Sequence, residues 1–181
     1  MQYGVRLLTL LRDVGVETHL VMTHAAEVTL AHETGHKVTE VRALASVAHA
    51  VGDIAARISS GSFRTMGMVV APCSVRSMSE IASGVTSSLL SRAADVTLKE
   101  RRRLVLLVRE TPLHSGHLRT MLQLSEMGAV IAPPVPAFYA RPASLDEMID
   151  HTLGRVLDLF EIEVGTVRRW REGGTHGSSA A

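Results

Sequence analysis

The chain has 181 residues, of which 46% are apolar and 20% charged, with a formal net charge of +1. That length and composition exclude a disordered chain and suit one domain with its own core. The near-zero charge gives no electrostatic reason to expect nucleic acid or an anionic membrane as partner.

In chain order, residues 3–12 place Val5, Leu7, Leu8, Leu10 and Leu11 as an amphipathic helix ended by Gly15. Thr18 to Met22 is a short β-type run, and Thr23 is positioned to cap a helix through Ala31. Residues 41–57, rich in Ala and Val and broken by Gly52, predict a helix followed by irregular chain. Met66 to Ala71 is an apolar run ended by Pro72, as in a buried parallel strand. Helices are predicted from about Ser74 and over about 87–101, and Leu104 to Val108 is the second clear buried strand. His114 to Met127 reads as a helix, Ala129 to Ala132 as a strand, and Leu145 to Phe160 as a long helix. The domain is expected to occupy residues 1–172, with 173–181 a flexible tail.

No uninterrupted apolar run reaches the roughly 18–20 residues of a membrane helix, and the N-terminus lacks signal-peptide character. The single cysteine, Cys73, leaves no internal disulfide and fits a reducing compartment. A soluble cytoplasmic protein is expected.

Strands alternating with helices predict an α/β fold, a parallel sheet covered on both faces. Ligands of such sheets bind beyond the C-terminal strand ends. Thr23, the Pro72-Cys73-Ser74 segment, Arg109-Glu110 and Pro133-Pro134-Val135-Pro136 all fall there. Ser74-Val75-Arg76-Ser77 reads either as an N-cap or as an anion site at a helix start. Arg109-Glu110, after a wholly apolar strand, reads either as an ion pair or as ligand-binding charge. Lys99 to Arg103 reads by default as a solvated helix end. Cys73 reads as a packing residue more than as a nucleophile. His32-Glu33-Thr34-Gly35-His36 matches the His-Glu-x-x-His pattern of zinc proteases, but Gly35 interrupts the helix that would align the histidines. No metal is expected.

Longer blocks are more specific. Arg92-Ala93-Ala94-Asp95-Val96-Thr97-Leu98-Lys99-Glu100-Arg101-Arg102, Val108-Arg109-Glu110-Thr111-Pro112, Gly128-Ala129-Val130-Ile131 and Pro136-Ala137-Phe138-Tyr139 follow one another as in the UbiX family of flavin prenyltransferases. The chain resembles that family from Gln2 to about Trp170. The resemblance implies a three-layer Rossmann-like or flavodoxin-like domain, and homo-oligomers, commonly dodecamers. It implies transfer of a dimethylallyl group from dimethylallyl phosphate to N5 and C6 of reduced FMN. The product would serve a UbiD-type decarboxylase. By the same resemblance Thr23, Ser74, Val75, Arg76, Ser77 and Arg109 should contact FMN. Lys99, Tyr139, Arg155 and Arg92 should hold the prenyl phosphate, and Glu33, Ser60, Glu110 and Trp170 should complete the pocket. A related FMN-dependent cysteine decarboxylase and a non-catalytic flavin-binding protein are the alternatives. The resemblance further implies a strand and a Gly- and Ser-containing loop upstream of Met1, with that strand lying between Thr18–Met22 and Met66–Ala71.

Overall fold

A computed structural model describes residues 1–169. The apolar stripe of the first segment folds as predicted into α1 (Gln2–Asp13), burying Val5, Leu7, Leu8 and Leu10. Strand β1 (His19–Val21) leads into α2 (His24–Glu33), where the Thr23 hydroxyl accepts from the Ala26 N–H at 3.1 Å. That bond satisfies one of the N–H groups the first turn leaves without an intrahelical partner.

Residues 41–57 depart from expectation. The helix there, α3, is Val38–Leu44, and a strand follows at once, β2 (Val47–His49). Three residues with alanine at their centre carry too little alternation to announce a strand. A 3₁₀ turn at Arg57–Ser59 then leads to β3 (Gly67–Cys73). This strand continues two residues past its expected end at Ala71. Its register with the neighbouring strand shifts between Val70 and Cys73, where Pro72 has no N–H to give.

The remaining elements are α4 (Val75–Ala82), α5 (Leu89–Lys99), β4 (Arg103–Val108), α6 (Ser115–Glu126), β5 (Val130–Ile131) and α7 (Leu145–Asp158). All the strand pairs are parallel. Among the described residues they form two ladders, β1–β2 and β3–β4–β5, where a single sheet was expected.

β4 supplies the centre of the core. Leu104, Leu106 and Val108 pack with Val70 and Cys73 of β3, Met78 and Ile81 of α4, Ala94 of α5 and Leu124 of α6. Val105 and Leu107 alternate onto the opposite face and are equally buried, so both faces of β4 are covered. Truncating any of these leucines to alanine should cost on the order of 2–5 kcal/mol. A second cluster joins Val5 and Leu8 of α1, Met22, Leu30 of α2 and Val41 of α3. Helix α1 also lies on β3, so closely that a Cβ on Gly4 would stand 2.5 Å from the Ala71 carbonyl oxygen.

The chain divides into two compact units, Met1–Pro134 and the part from Val135 onward. In the second, Leu153, Val156 and Leu157 of α7 are buried. The Thr166 hydroxyl donates to the Asp150 carbonyl at 2.9 Å, tying the segment after the helix back to it. No described helix is long and apolar enough to cross a membrane.

Candidate active site

In the first unit the segments after β1, β3 and β4 carry the residues the sequence points to, each placed by its strand. After β3, Ser74 caps α4 through the Ser77 N–H at 3.2 Å, and the two hydroxyls are joined at 3.1 Å. The N-cap reading is thus realised, and the hydroxyls remain at a helix start suited to an anion. Val75 packs on the core, whereas Arg76 is largely exposed and pairs with Glu80 at 2.9 Å.

Cys73 has no solvent exposure, and burial pushes its thiol up to about 12. A thiol so hard to ionise packs and does not attack.

After β4, Arg109 reaches across to the end of α2, its Nη2 donating to Glu33 Oε1 at 2.7 Å. Burial works to raise the Glu33 carboxyl. The amino group of Met1 and the Arg109 guanidinium outweigh that and hold it below the usual carboxylate range. Glu110 is exposed, its carboxylate accepting from the Thr111 N–H at 3.0 Å. Thr23 stands at the other end of α2 from Glu33, about 15 Å away along a helix of 10 residues.

α2 ends at Glu33 and Thr34 is extended, so His32 and His36 do not share a helical face. Among the described residues no group of three His, Cys, Asp or Glu side chains could hold a metal ion.

A second group of predicted residues meets around the loop after the 3₁₀ turn. Arg92 donates through Nε to the Ser59 carbonyl at 3.2 Å and pairs with Asp95 at 2.9 Å. Ser60 shares a hydrogen bond with Ser62 at 2.9 Å. Lys99 pairs with Glu100, and a Cβ on Gly61 would meet the Glu100 carboxylate and stand 2.8 Å from Lys99 Nζ. Ser60, Arg92 and Lys99 are therefore neighbours of one loop, although 32 residues separate Ser60 from Arg92 in the sequence.

In the second unit, Tyr139 lies in a 3₁₀ turn (Phe138–Ala140), its ring edge-on to His151 at 5.6 Å. Arg155 pairs with Asp158 at 2.5 Å, and Arg169 holds the same carboxylate at 3.1 and 3.2 Å. Arg169 and then Arg155 keep the Asp158 carboxyl below its ordinary value against the opposing effect of burial. Trp170 and the expected tail at 173–181 lie outside the described residues.

Two features escaped the sequence. Arg102 donates to two carbonyls of the Ser60 loop, Gly61 at 2.6 Å and Phe63 at 2.7 Å. His19 and His49 stack, with centroids 5.2 Å apart, and share a hydrogen bond of 2.9 Å between Nδ1 and Nε2. Glu17 takes the other His19 nitrogen at 3.1 Å. A carboxylate only accepts, so in neutral His19 the proton sits on Nε2 and His49 is the donor to Nδ1.

Against known proteins, the profile of the flavoprotein family matches residues 1–167. The flavin prenyltransferase UbiX of Escherichia coli K12 is 63% identical over 161 residues, 88% of this chain and 85% of that protein. The Thauera aromatica flavin prenyltransferase UbiX is 51% identical over 168 residues, 93% and 87% of the two chains. Among solved structures, AnUbiX (PadA1) in complex with FMN and dimethylallyl pyrophosphate superposes with a TM-score of 0.92 at 52% identity. That match covers 94% of this chain and 90% of the other. A dodecameric FMN-dependent UbiX-like decarboxylase from Escherichia coli O157:H7 gives 0.92 at 49% identity, covering 94% and 92%.

Proposed function

The chain belongs to the UbiX-type flavin prenyltransferases of the flavoprotein family, and we propose that it transfers a dimethylallyl group from dimethylallyl phosphate to N5 and C6 of reduced FMN. The observation that carries the donor assignment is the meeting of Arg92 and Lys99 at the loop holding Ser60. Ionising an allylic phosphate needs cations and donors on the departing oxygens, in a place where they are already held.

The donor set fits a flavin mononucleotide as well. The Ser74 and Ser77 hydroxyls at the start of α4, with Thr23 capping α2, suit a phosphate or the polar edge of a ring system. Val75 and Arg76 belong to the same turn, and Arg109 adds a guanidinium fixed by Glu33. Reduced FMN supplies the nucleophilic atoms that receive the prenyl group.

The protein's part is to bind, orient and move protons. Lys99 and Arg92 offset the negative charge on the departing phosphate, and for Tyr139 and Arg155 a role toward the prenyl phosphate rests on the family resemblance alone. Ser60 donates a hydroxyl at the loop. Glu110, exposed and backed by one N–H, is suited to take up and return a proton. Glu33 fixes Arg109, and the Trp170 face suits the positive character that the allylic group develops.

A homo-oligomer is part of this reading, supported by the dodecameric relative. So is a UbiD-type decarboxylase as recipient of the product, in a cytoplasm that keeps the lone thiol reduced.

The test is to incubate the protein anaerobically with reduced FMN and dimethylallyl phosphate and weigh the flavin. A flavin heavier by one prenyl group supports the reading, and unchanged flavin sinks it. Carbon dioxide released from an organic acid without any prenyl donor would instead support an FMN-dependent decarboxylase, the activity ascribed to the dodecameric relative.

A further inference from the structure

Helix α5 ends in a reversal that aims one arginine of a basic run inward. Arg101 adopts the left-handed conformation at φ 57°. Its N–H donates to the Leu98 carbonyl at 3.0 Å, and the Arg102 N–H donates to the Thr97 carbonyl at 2.9 Å. This is the pattern by which a left-handed residue closes a helix and turns the chain back. Arg101 and Arg103 on either side stay exposed, while Arg102 becomes half-buried.

The Arg102 guanidinium then spans the Ser60 loop. Nη2 donates to the Gly61 carbonyl at 2.6 Å and Nη1 to the Phe63 carbonyl at 2.7 Å. Both bonds are short and charge-assisted, and together they fix the plane of the loop as well as its distance. The loop is gripped elsewhere too. Phe63 has the His19 ring edge-on at 5.2 Å and the Arg57 guanidinium 5.5 Å from its centroid.

Gly61 is the point of closest approach. Lys99 Nζ lies 2.8 Å from where a Cβ would stand, and the Glu100 carboxylate lies closer still. The Lys99–Glu100 pair therefore fills the space beside Gly61 that any side chain there would need.

We propose that Arg102 is a positioning residue for the prenyl-phosphate site, holding the Gly61–Phe63 backbone so that Lys99 and Ser60 keep their places relative to the departing phosphate. The inference rests on the assignment of Lys99 to that phosphate made above. Arg102 acts through the loop, since two of its donors are occupied by carbonyl oxygens.

The experiment measures the Kd of dimethylallyl phosphate for the full chain by calorimetry, alongside KM, kcat, FMN affinity and melting temperature. Arg102→Ala should weaken the donor's Kd and raise its KM by about tenfold, through loss of two charge-assisted bonds that hold the site. At saturating donor, kcat should stay within about threefold, and FMN affinity should not move, because the flavin's own contacts are untouched. Arg102→Lys, still charged and able to keep one carbonyl, should recover most of the donor affinity. Gly61→Ala should reproduce the weakening from the other side with Arg102 intact.

Donor affinity within about twofold of the parent in Arg102→Ala would overturn the proposal, since it falls well short of the roughly tenfold weakening expected. So would a variant that loses donor and flavin affinity together with its melting temperature, which marks a general brace. If Arg102→Ala does not fold, parental donor affinity in both Arg102→Lys and Gly61→Ala overturns it equally. Lys99→Ala separates the two readings. Weakened donor binding in Lys99→Ala with parental donor binding in Arg102→Ala defeats only the role of Arg102. Parental binding in Lys99→Ala defeats the assignment of Lys99, and with it the proposal as stated. The double variant should lose less donor affinity than the two single losses added together, because both changes act in part on one ammonium.

Discussion

Arg109 and Glu33, 76 residues apart in sequence, meet at 2.7 Å and join the end of β4 to the last turn of α2. Both side chains keep appreciable exposure, 49% and 28%, so the pair should contribute little to stability and much to orientation. Glu33→Gln is expected to change unfolding free energy by under about 1 kcal/mol, the usual range for a solvent-accessible ion pair. It is expected to lower prenyl transfer by more than about tenfold, since a guanidinium without its fixed anion loses direction. Denaturant unfolding and steady-state rates on the same preparation check both halves.

Glu110→Gln is expected to keep FMN affinity at the parental level. The carboxamide retains the shape and an oxygen to accept from the Thr111 N–H. Prenyl transfer should fall by about 10²–10⁴-fold, the usual contribution of a positioned acid or base. A flavin titration and single-turnover kinetics distinguish the two effects, and parental turnover would remove Glu110 from the chemistry.

The paired histidines carry a pH dependence whose sign follows from His49. Burial holds its imidazole below the usual value, His19 and Arg57 push the same way, and Asp53 opposes them. A histidine depressed in the folded state binds its proton more readily when unfolded. The stability it contributes is therefore complete above its ordinary pKa of about 6.5 and is lost as pH falls toward the lowered folded value. Melting temperature is expected to drop between about pH 7 and pH 5.5, within that window. The drop should be smaller in His49→Gln, which has no proton to take up. Equal pH profiles for the two proteins would remove the pair from the account.

Arg101 is expected to be a site of easy stabilisation. A left-handed residue with a side chain is strained by about 1–2 kcal/mol, and glycine is not. Arg101→Gly should raise stability by about 1 kcal/mol, after allowance for the freer unfolded chain. Thermal unfolding measures this, and prenyl transfer should be unchanged, since the Arg101 side chain is exposed.

What could be read from the sequence was local. The stripe of α1, the apolar run of β4 and the caps Thr23 and Ser74 depend on residues within a few positions of one another, and they fold as read. β2 was not legible, because Val47–His49 is too short for alternation and pairs with β1 across more than twenty residues of intervening chain. Arg102 was not legible for a different reason. Its partners are backbone carbonyls 39 and 41 residues away, and a carbonyl carries no residue identity. A run of charges at a helix end looks solvated until the fold shows which one turns inward. Lys99 and Arg92 entered through resemblance, and the fold then set both beside the same loop.

The division of the strands into two ladders also means that the first unit should not open all at once. Strands β1 and β2 exchange hydrogen bonds over three residues each, none of them fully buried. Strand β4 has neighbours on both sides and five of its six residues buried. Amide hydrogens of the β1–β2 ladder are therefore released to solvent by a small local opening, while those of β4 wait for global unfolding. Hydrogen exchange would resolve the two as separate cooperative units. The Ser60 loop bridges their time scales, for Phe63 touches His19 of the labile ladder while Arg102, one residue before β4, holds its backbone.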